Sequence, residues 1–343
     1  MTEESTALRV LSAGPGTTLQ DGGRHGYLRY GITAAGPMDR LAHATANLSL
    51  GCPAQATAIE VSLGGIALTA EGAALTVAVA GGAFAVSLDG QELGPDVALT
   101  LEPGAVLGIR AGAGGSWCYL AVAGDLDVAP VLGSTATHIR SGMGGLEGRG
   151  LRAGDRIRVL ARHLPLAPSR IDAPWLERAP DTIRVLPGPQ ADAFDPDQID
   201  AFLAADWTIS NRSDRMASYL DGPRLRHAAG HDIVSDGIVM GAIQVPGDGR
   251  PVVLMADRQP TGGYPKIATV IGPDLGRFAQ GRPGTRLRFR AVTREEAVAA
   301  RRDEAACLRG RPSLEPLVRT RFTSEFLLGL NLVDGICGPD DGL

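Results

Sequence analysis

Lysine is almost missing from this chain. Its 343 residues carry 33 lysines and arginines, and Lys266 is the sole lysine among them. Codon drift in a GC-rich genome accounts for the arginines but not for the one survivor, and a lysine is a compact donor that arginine does not replace. No apolar run reaches the ~18 residues that a membrane span requires. The opening MTEESTALRV is acidic and lacks the basic and apolar regions of a secretory signal, so export is not expected. No basic block stands out against the net charge of −5, which argues against a nucleic-acid surface. The cysteines Cys52, Cys118, Cys307 and Cys337 include no C-x-x-C pair. They read as reduced thiols of a cytoplasmic protein rather than a disulfide framework or a zinc site. The six histidines form no ligand pattern; His227 and His231 are four apart, but Gly230 lies between them and no helix is evident, so no metal is expected. Phosphate-loop and nucleophile-elbow spacings are absent as well, and the Gly-Gly turn of Thr17 to Arg24 does not supply one.

What is present is turn and strand. With 46 glycines and 23 prolines, turns are frequent and helices few, and the length suggests two domains. Val86 to Leu93 reads as a hairpin about Asp89-Gly90, a pair suited to the positive φ angles of a type I′ turn. Three segments place a glycine before alternating apolar residues: Gly104 before Val106 to Ile109, Gly154 before Ile157 to Val159, and Gly284 before Leu287 to Phe289. Each predicts a turn into a half-buried strand. Helices are expected at Pro37 to Leu50, from Asp195 with Gln198 completing a capping box, and from Thr293 with Glu296 doing the same. Proline-rich Leu160 to Asp181 suggests a boundary, giving domains 1–165 and 166–310 and an extension 311–343. Apolar Phe322 to Leu330 in that extension suggests docking on the core or on a partner.

The chemistry concentrates between Gly241 and Val270. Val252 to Ala256 is an apolar run of buried-strand type that delivers Asp257, Arg258 and Gln259 to a strand end. Pro260, Gly262 and Gly263 then force a turn, and Thr261, Tyr264 and Lys266 follow. Polar groups crowded at such a tip usually serve function, although an Asp-Arg pair pinning a loop is the plainer alternative. Two further acid-arginine neighbours, Asp39-Arg40 and Asp214-Arg215, are open to the same two readings. Asp214 and Arg215 lean towards a site because Gln244 and Lys266 lie in the same half.

In chain order, Gly14 to Arg24 (GPGTTLQDGGR), GPMDR at 36–40, Ala58-Ile59-Glu60-Val61, SDRM at 213–216, GAIQVP at 241–246 and ADRQPTGGYPK at 256–266 resemble one family. It is the biotin-dependent carboxyltransferase-domain family, also called allophanate hydrolase subunit 2, and the likeness runs from about Leu8 to Ala297. Pro260 departs from the pattern, which has threonine or another small residue there.

The resemblance implies a mainly β fold of two cyclophilin-like β-barrel domains and work beside partner subunits. One implied activity is ATP-dependent opening of the lactam 5-oxoproline to glutamate, with a smaller family subunit of similar fold and a third oxoprolinase subunit. A second is carboxyl transfer from biotin to urea or a similar small amide, and a third reading is a non-catalytic regulator that binds a partner. Biotin attaches to lysine in an Ala-Met-Lys-Met type of turn, whereas Lys266 sits in Tyr-Pro-Lys-Ile, so this chain does not carry biotin. ATP would act through the complex. Either reaction builds negative charge on an amide carbonyl, which cationic and N–H donors stabilise. That role falls to Lys266 with the backbone at Gly262 and Gly263. Asp257 or Asp214 is a candidate base, and Arg215 or Arg258 a holder of a carboxylate or phosphate. Gln244, Gln259, Thr261 and Tyr264 would contact the amide, and Asp39, Arg40 and Glu60 are secondary candidates.

Overall fold

The computed structural model describes residues 6–162 and 164–318; Cys337 and the expected docking segment Phe322 to Leu330 lie outside them. The molecule is mainly β, with two β units and, among the described residues, four α-helices. No helix there is long and apolar enough to cross a membrane.

The first unit is two seven-stranded sheets sharing one core. One sheet runs in the order Gly124–Leu126, Arg156–Ala161, Ala7–Ala13, Ile66–Glu71, Val106–Arg110, Ala85–Leu88 and Gln91–Gly94. The other runs Thr18–Gln20, Ala58–Val61, Cys118–Val122, Leu75–Ala80, Val97–Leu101, Ser169–Asp172 and Ser313–Pro316. Leu8, Leu68 and Leu107 from the first sheet meet Ile59, Val77 and Val97 from the second, all fully buried. Leu75–Ala80 and Cys118–Val122 are buried along their whole length. Their outer faces are covered by helix α1 (Arg40–Ser49), whose Ala42 and Ala46 pack on Ala78, Ala80 and Ala121. That double burial is why these strands read as unbroken apolar runs rather than as alternations.

The second unit is a closed barrel of Thr182–Pro187, Lys266–Val270, Ala242–Gln244, Val252–Leu254, Ala217–Asp221, Trp207–Ile209 and Arg286–Ala291. Its closing pair, Thr182–Pro187 with Arg286–Ala291, is parallel. A two-residue ribbon, Asp236–Gly237 on Thr261–Gly262, lies outside the barrel wall.

The turn chemistry reads directly from sequence. Asp89 (φ 49°) and Gly90 (φ 83°) form the hairpin turn. Gly104, Gly154 and Gly284 all take φ between 84° and 91° ahead of their strands. Helix α1 is capped by Asp39, whose Oδ1 accepts from the backbone of Leu41 and Ala42. Helix α2 (Pro196–Ala204) begins after Asp195, but the capping box is not formed. Gln198 instead donates to Asp197 and accepts from Arg226 N. Helix α3 (Gly272–Gln280) is unannounced by the sequence, because glycine and proline occupy its first turn. Helix α4 (Arg294–Cys307) has the full Thr293/Glu296 box.

The strand Ser169–Asp172, beyond the expected boundary at 165, pairs with Val97–Leu101 of the first unit. Ser313–Pro316, expected in a separate extension, pairs in turn with Ser169–Asp172. The chain thus completes the barrel and returns to the sheet it left.

Candidate active site

The residues that the sequence gathers at one turn separate in space into two groups. The first lies in the seam between the β units. Arg215 is 6% exposed; its Nε and Nη2 donate to the two oxygens of Asp257 at 3.0 and 2.9 Å, and Nη2 also reaches Gly36 O at 2.9 Å. Its Nη1 donates to Glu60 across the seam. Glu60 further accepts from Met38 N and from the Tyr119 hydroxyl, each at 2.8 Å, and that hydroxyl accepts from Asp39 N. Burial works against the Arg215 charge, but Asp257 and then Glu60 outweigh it and hold its pKa above the ordinary arginine value. Burial, with a smaller push from the Asp257 charge, raises the Glu60 carboxyl above its ordinary value, although Arg215 and the two further donors favour its ionised form; the charge on Arg215 is what the geometry secures.

Asp39, nearly fully buried, also accepts from Arg178 at 2.8 and 3.0 Å and from Gln280 Nε2 at 3.0 Å. Gln280 completes the seam: it donates to Trp117 O and accepts from Ser116 N and Trp117 N. Of the side chains in this network only Arg178 leaves a buried atom, its Nε, unpartnered, and a network so nearly satisfied fixes one arrangement of the parts it joins. Asp257, Arg215, Glu60 and Asp39 therefore hold the two units together, and the Arg215 fork expected for a ligand is spent on Asp257. Arg258 is likewise turned inward, its Nε donating to Ile238 O and Nη1 to Met255 O. Burial, and then the nearby Arg40 charge, bring Arg258 down to about 10. Arg40 itself is exposed. Asp214 caps its own turn, Oδ1 accepting from Met216 N and Ala217 N, at the rim of a seam cavity of about 470 Å³.

The N-terminal Gly-Gly turn is structural too. Buried Arg24 donates to Val131, Ser134 and Ala136 carbonyls, and Asp21 accepts from Gly23 N, Ser134 Oγ and Thr135 N.

The second group surrounds Lys266. Gln244 and Lys266 are directly opposed on neighbouring barrel strands, next to a register shift. Lys266 is 2% exposed, and its Nζ lies 3.1 Å from Asp236 Oδ2, within ion-pair distance but off hydrogen-bond alignment. Gln259 Nε2 donates to Gln244 Oε1 at 3.4 Å, leaving Gln244 Nε2 and Gln259 Oε1 buried with no hydrogen-bond partner in the protein. Gly262 closes over this pair: a Cβ there would stand 2.7 Å from Gln244 Nε2 and from Ile238 Cδ1, so a larger residue would push these side chains or the turn aside. Gly263 O accepts from Ile233 N, Thr261 is exposed and Tyr264 is 40% exposed at the same turn. Pro260 takes part through its carbonyl, which accepts from Ile238 N, a function that proline keeps.

Two members of this group were not singled out from sequence. Asp236 faces Lys266, and Gln190 donates to Asp236 Oδ2 at 3.2 Å while accepting from Lys266 N. They lie 30 and 76 residues from Lys266, and no spacing announces the meeting. Buried polar atoms are ordinarily paired. A free donor, a free acceptor and the Lys266 amine thus gather beside the Asp236–Gly237 ribbon.

The family model for the carboxyltransferase domain, subdomain A and B, matches residues 30–291. The chain belongs to that family. Within it, the chain is 38% identical to a 5-oxoprolinase subunit of Escherichia coli over 302 residues, covering 87% of this chain and 95% of the relative. The corresponding protein of Haemophilus influenzae is 37% identical over 85% of this chain and 94% of its own length. The carboxyltransferase-domain fold also superposes on the crystal structure of K. lactis urea amidolyase with a TM-score of 0.83 and 26% identity. That match covers 90% of this chain and 20% of that one. Both the Lys266 group and the seam group lie inside the matched span.

Proposed function

We propose that this chain is a subunit of an ATP-dependent 5-oxoprolinase complex that hydrolyses the lactam of 5-oxoproline to glutamate. One observation carries the reading: the relatives it matches over nearly their whole length are 5-oxoprolinase subunits, whereas the urea enzyme K. lactis urea amidolyase is matched over a fifth of its length. The chain acts with a smaller family subunit of similar fold and a third subunit, and ATP is consumed by the assembly. Lys266, the turn at Gly262 and Gly263, Gln244, Gln259 and Tyr264 form the binding face for the substrate, and the side-chain amides contact its lactam. Hydrogen-bond donors aimed at a carbonyl that gains charge lower the barrier by a few kcal/mol.

The likeness to urea amidolyase favours a second reading, transfer of a carboxyl from a separate biotin carrier to urea or a similar amide. Burial of the sole lysine supports a carrier elsewhere, since an attachment lysine has to be reached from solvent. Assembly with the partner subunits, followed by ATP hydrolysis with and without 5-oxoproline, separates the readings. Stimulation by 5-oxoproline is expected. Dependence on bicarbonate, a biotin carrier and urea would replace the first reading with the second, and stable assembly without turnover on either substrate would leave a regulator.

A further inference from the structure

We propose that Asp236 is a tethered stand-in for a ligand carboxylate. On this proposal the Lys266 group is a recognition site for a small molecule whose amide C=O and N–H point the same way, as in a lactam, beside a carboxylate. The inference deepens the 5-oxoprolinase reading and rests on it for the ligand's identity.

The argument starts from the two glutamines. Two primary amides joined by one hydrogen bond leave one donor and one acceptor side by side, here Gln244 Nε2 and Gln259 Oε1. Exchanging O and N in both amides reverses the order but keeps one of each, so the conclusion does not hang on that assignment. A pair of this kind is the complement of a cis amide, which presents C=O and N–H on one edge. An apolar ligand or a simple anion would leave at least one of these buried atoms unpaired, which is costly.

Lys266 supplies the third contact. Among the described residues its buried Nζ pairs with one acid, Asp236, which comes from the ribbon and not from the barrel. Asp236 is half-exposed and is steadied by Gln190 Nε2 and its neighbour Gly237 N. Its carboxyl is held below the usual range by contacts with Lys266, Gln190 and Gly237 N, in that order, so it is a charged competitor at neutral pH. Gly262, whose backbone lies against the Gln244 amide, is the register partner of Asp236. Amide pair, ammonium and competing carboxylate thus meet at one turn.

The cover is lightly fastened. The run from Val234 to Gly237 is exposed throughout, with Val234 92% exposed. It is stitched to the turn by the short ladder and by Ile233 N on Gly263 O and Ile238 N on Pro260 O. Only Ile238 anchors it in the core. Segments with few buried apolar contacts open first. An incoming carboxylate replaces Asp236 on Lys266, the ribbon lifts, and the lactam edge seats on the glutamines.

The test uses the full chain and calorimetric binding of three probes: 5-oxoproline, 2-pyrrolidone (the lactam without the carboxylate) and cyclopentanecarboxylate (the reverse). Asp236→Asn is expected to tighten 5-oxoproline and cyclopentanecarboxylate by about three- to tenfold more than 2-pyrrolidone, as removal of a competing carboxylate does. Lys266→Met, checked for an unaltered melting temperature, should remove the advantage of 5-oxoproline over 2-pyrrolidone. Equal effects of Asp236→Asn on all three probes, no effect on any, or no binding of 5-oxoproline by either protein would overturn the proposal. In the assembled complex, turnover of 5-oxoproline with a KM untouched by Asp236→Asn removes the stand-in and leaves the oxoprolinase reading. Carboxylate-selective tightening in a complex that does not turn over 5-oxoproline removes that reading and leaves the site.

Discussion

Glu60 and Arg215 meet across the seam, each almost wholly buried, one from the first β unit and one from the barrel. Arg215 also closes a two-bonded fork on Asp257 of its own barrel. Removing the guanidinium leaves two carboxylates facing each other out of water. Arg215→Met is expected to cost about 3–5 kcal/mol in stability, the usual loss when a buried pair loses one partner. Urea unfolding of the variant measures it, and Glu60→Gln in the Arg215→Met background should restore part of the loss. A change within about 0.5 kcal/mol would show that the network does not hold the units together.

His43 gives stability a pH dependence. It is fully buried, its Nε2 bonded to Gln20 O and its ring edge-on to Tyr119 at 5.4 Å between centroids. Burial lowers its pKa from 6.5 to about 4, against the backbone contact to Gln20. The unfolded chain takes up a proton in that window and the folded one does not. The stabilisation is therefore complete above pH 6.5 and is lost as pH falls to about 4, amounting to about 3 kcal/mol. Denaturant titrations at pH 7.5 and 4.5 should show this slope, and His43→Gln should remove most of it.

Gly276 lets helix α3 lie against the cap of helix α1. A Cβ at this position would stand 2.4 Å from Asp39 Oδ1. Asp39 is held by Arg178, Gln280 and two cap amides, so it has no room to yield. Gly276→Ala is expected to destabilise by about 1–3 kcal/mol despite alanine's better helix propensity. A stabilised variant in thermal melts would contradict the packing argument.

Lys266 is the residue on which the proposed chemistry turns. In the assembled complex Lys266→Ala should lower kcat/KM for 5-oxoproline by about 10- to 100-fold, the range for losing a charged contact. Unchanged turnover would remove Lys266 from the reaction.

The strands, the hairpin and one of the two expected capping boxes were legible because local chemistry dictates them. Asp89-Gly90 can hardly do other than turn, and Thr293 with Glu296 closes its box within four residues. Helix α3 was not legible, because Gly272, Pro273 and Gly276 argue against a helix that the Asp39 contact and the buried Leu275 and Phe278 stabilise. At the site, Gln259 and Lys266 were read at one turn, whereas Gln244 was placed only in the same half of the chain; the barrel register sets it opposite Lys266. Asp257 and Arg215, the candidate base and ligand holder, bond instead to each other in the seam. Asp257 lies in the turn after Val252–Leu254 and Arg215 just before Ala217–Asp221, and the two turn inward to satisfy one another. Asp236 and Gln190 were invisible because their proximity is made by the ribbon and the barrel closure, with no periodicity to record it.

The return of Ser313–Pro316 to the sheet entered by Ser169–Asp172 makes the barrel an insertion, anchored at both of its ends to the same neighbour. Two fixed crossings deny it the freedom of a pendant lobe, so hinge-like separation of the halves would first have to peel a strand. The same stitching sets where the protein can be cut: a fragment ending at residue 165 would bare the backbone edge of Val97–Leu101 and invite other chains to pair there.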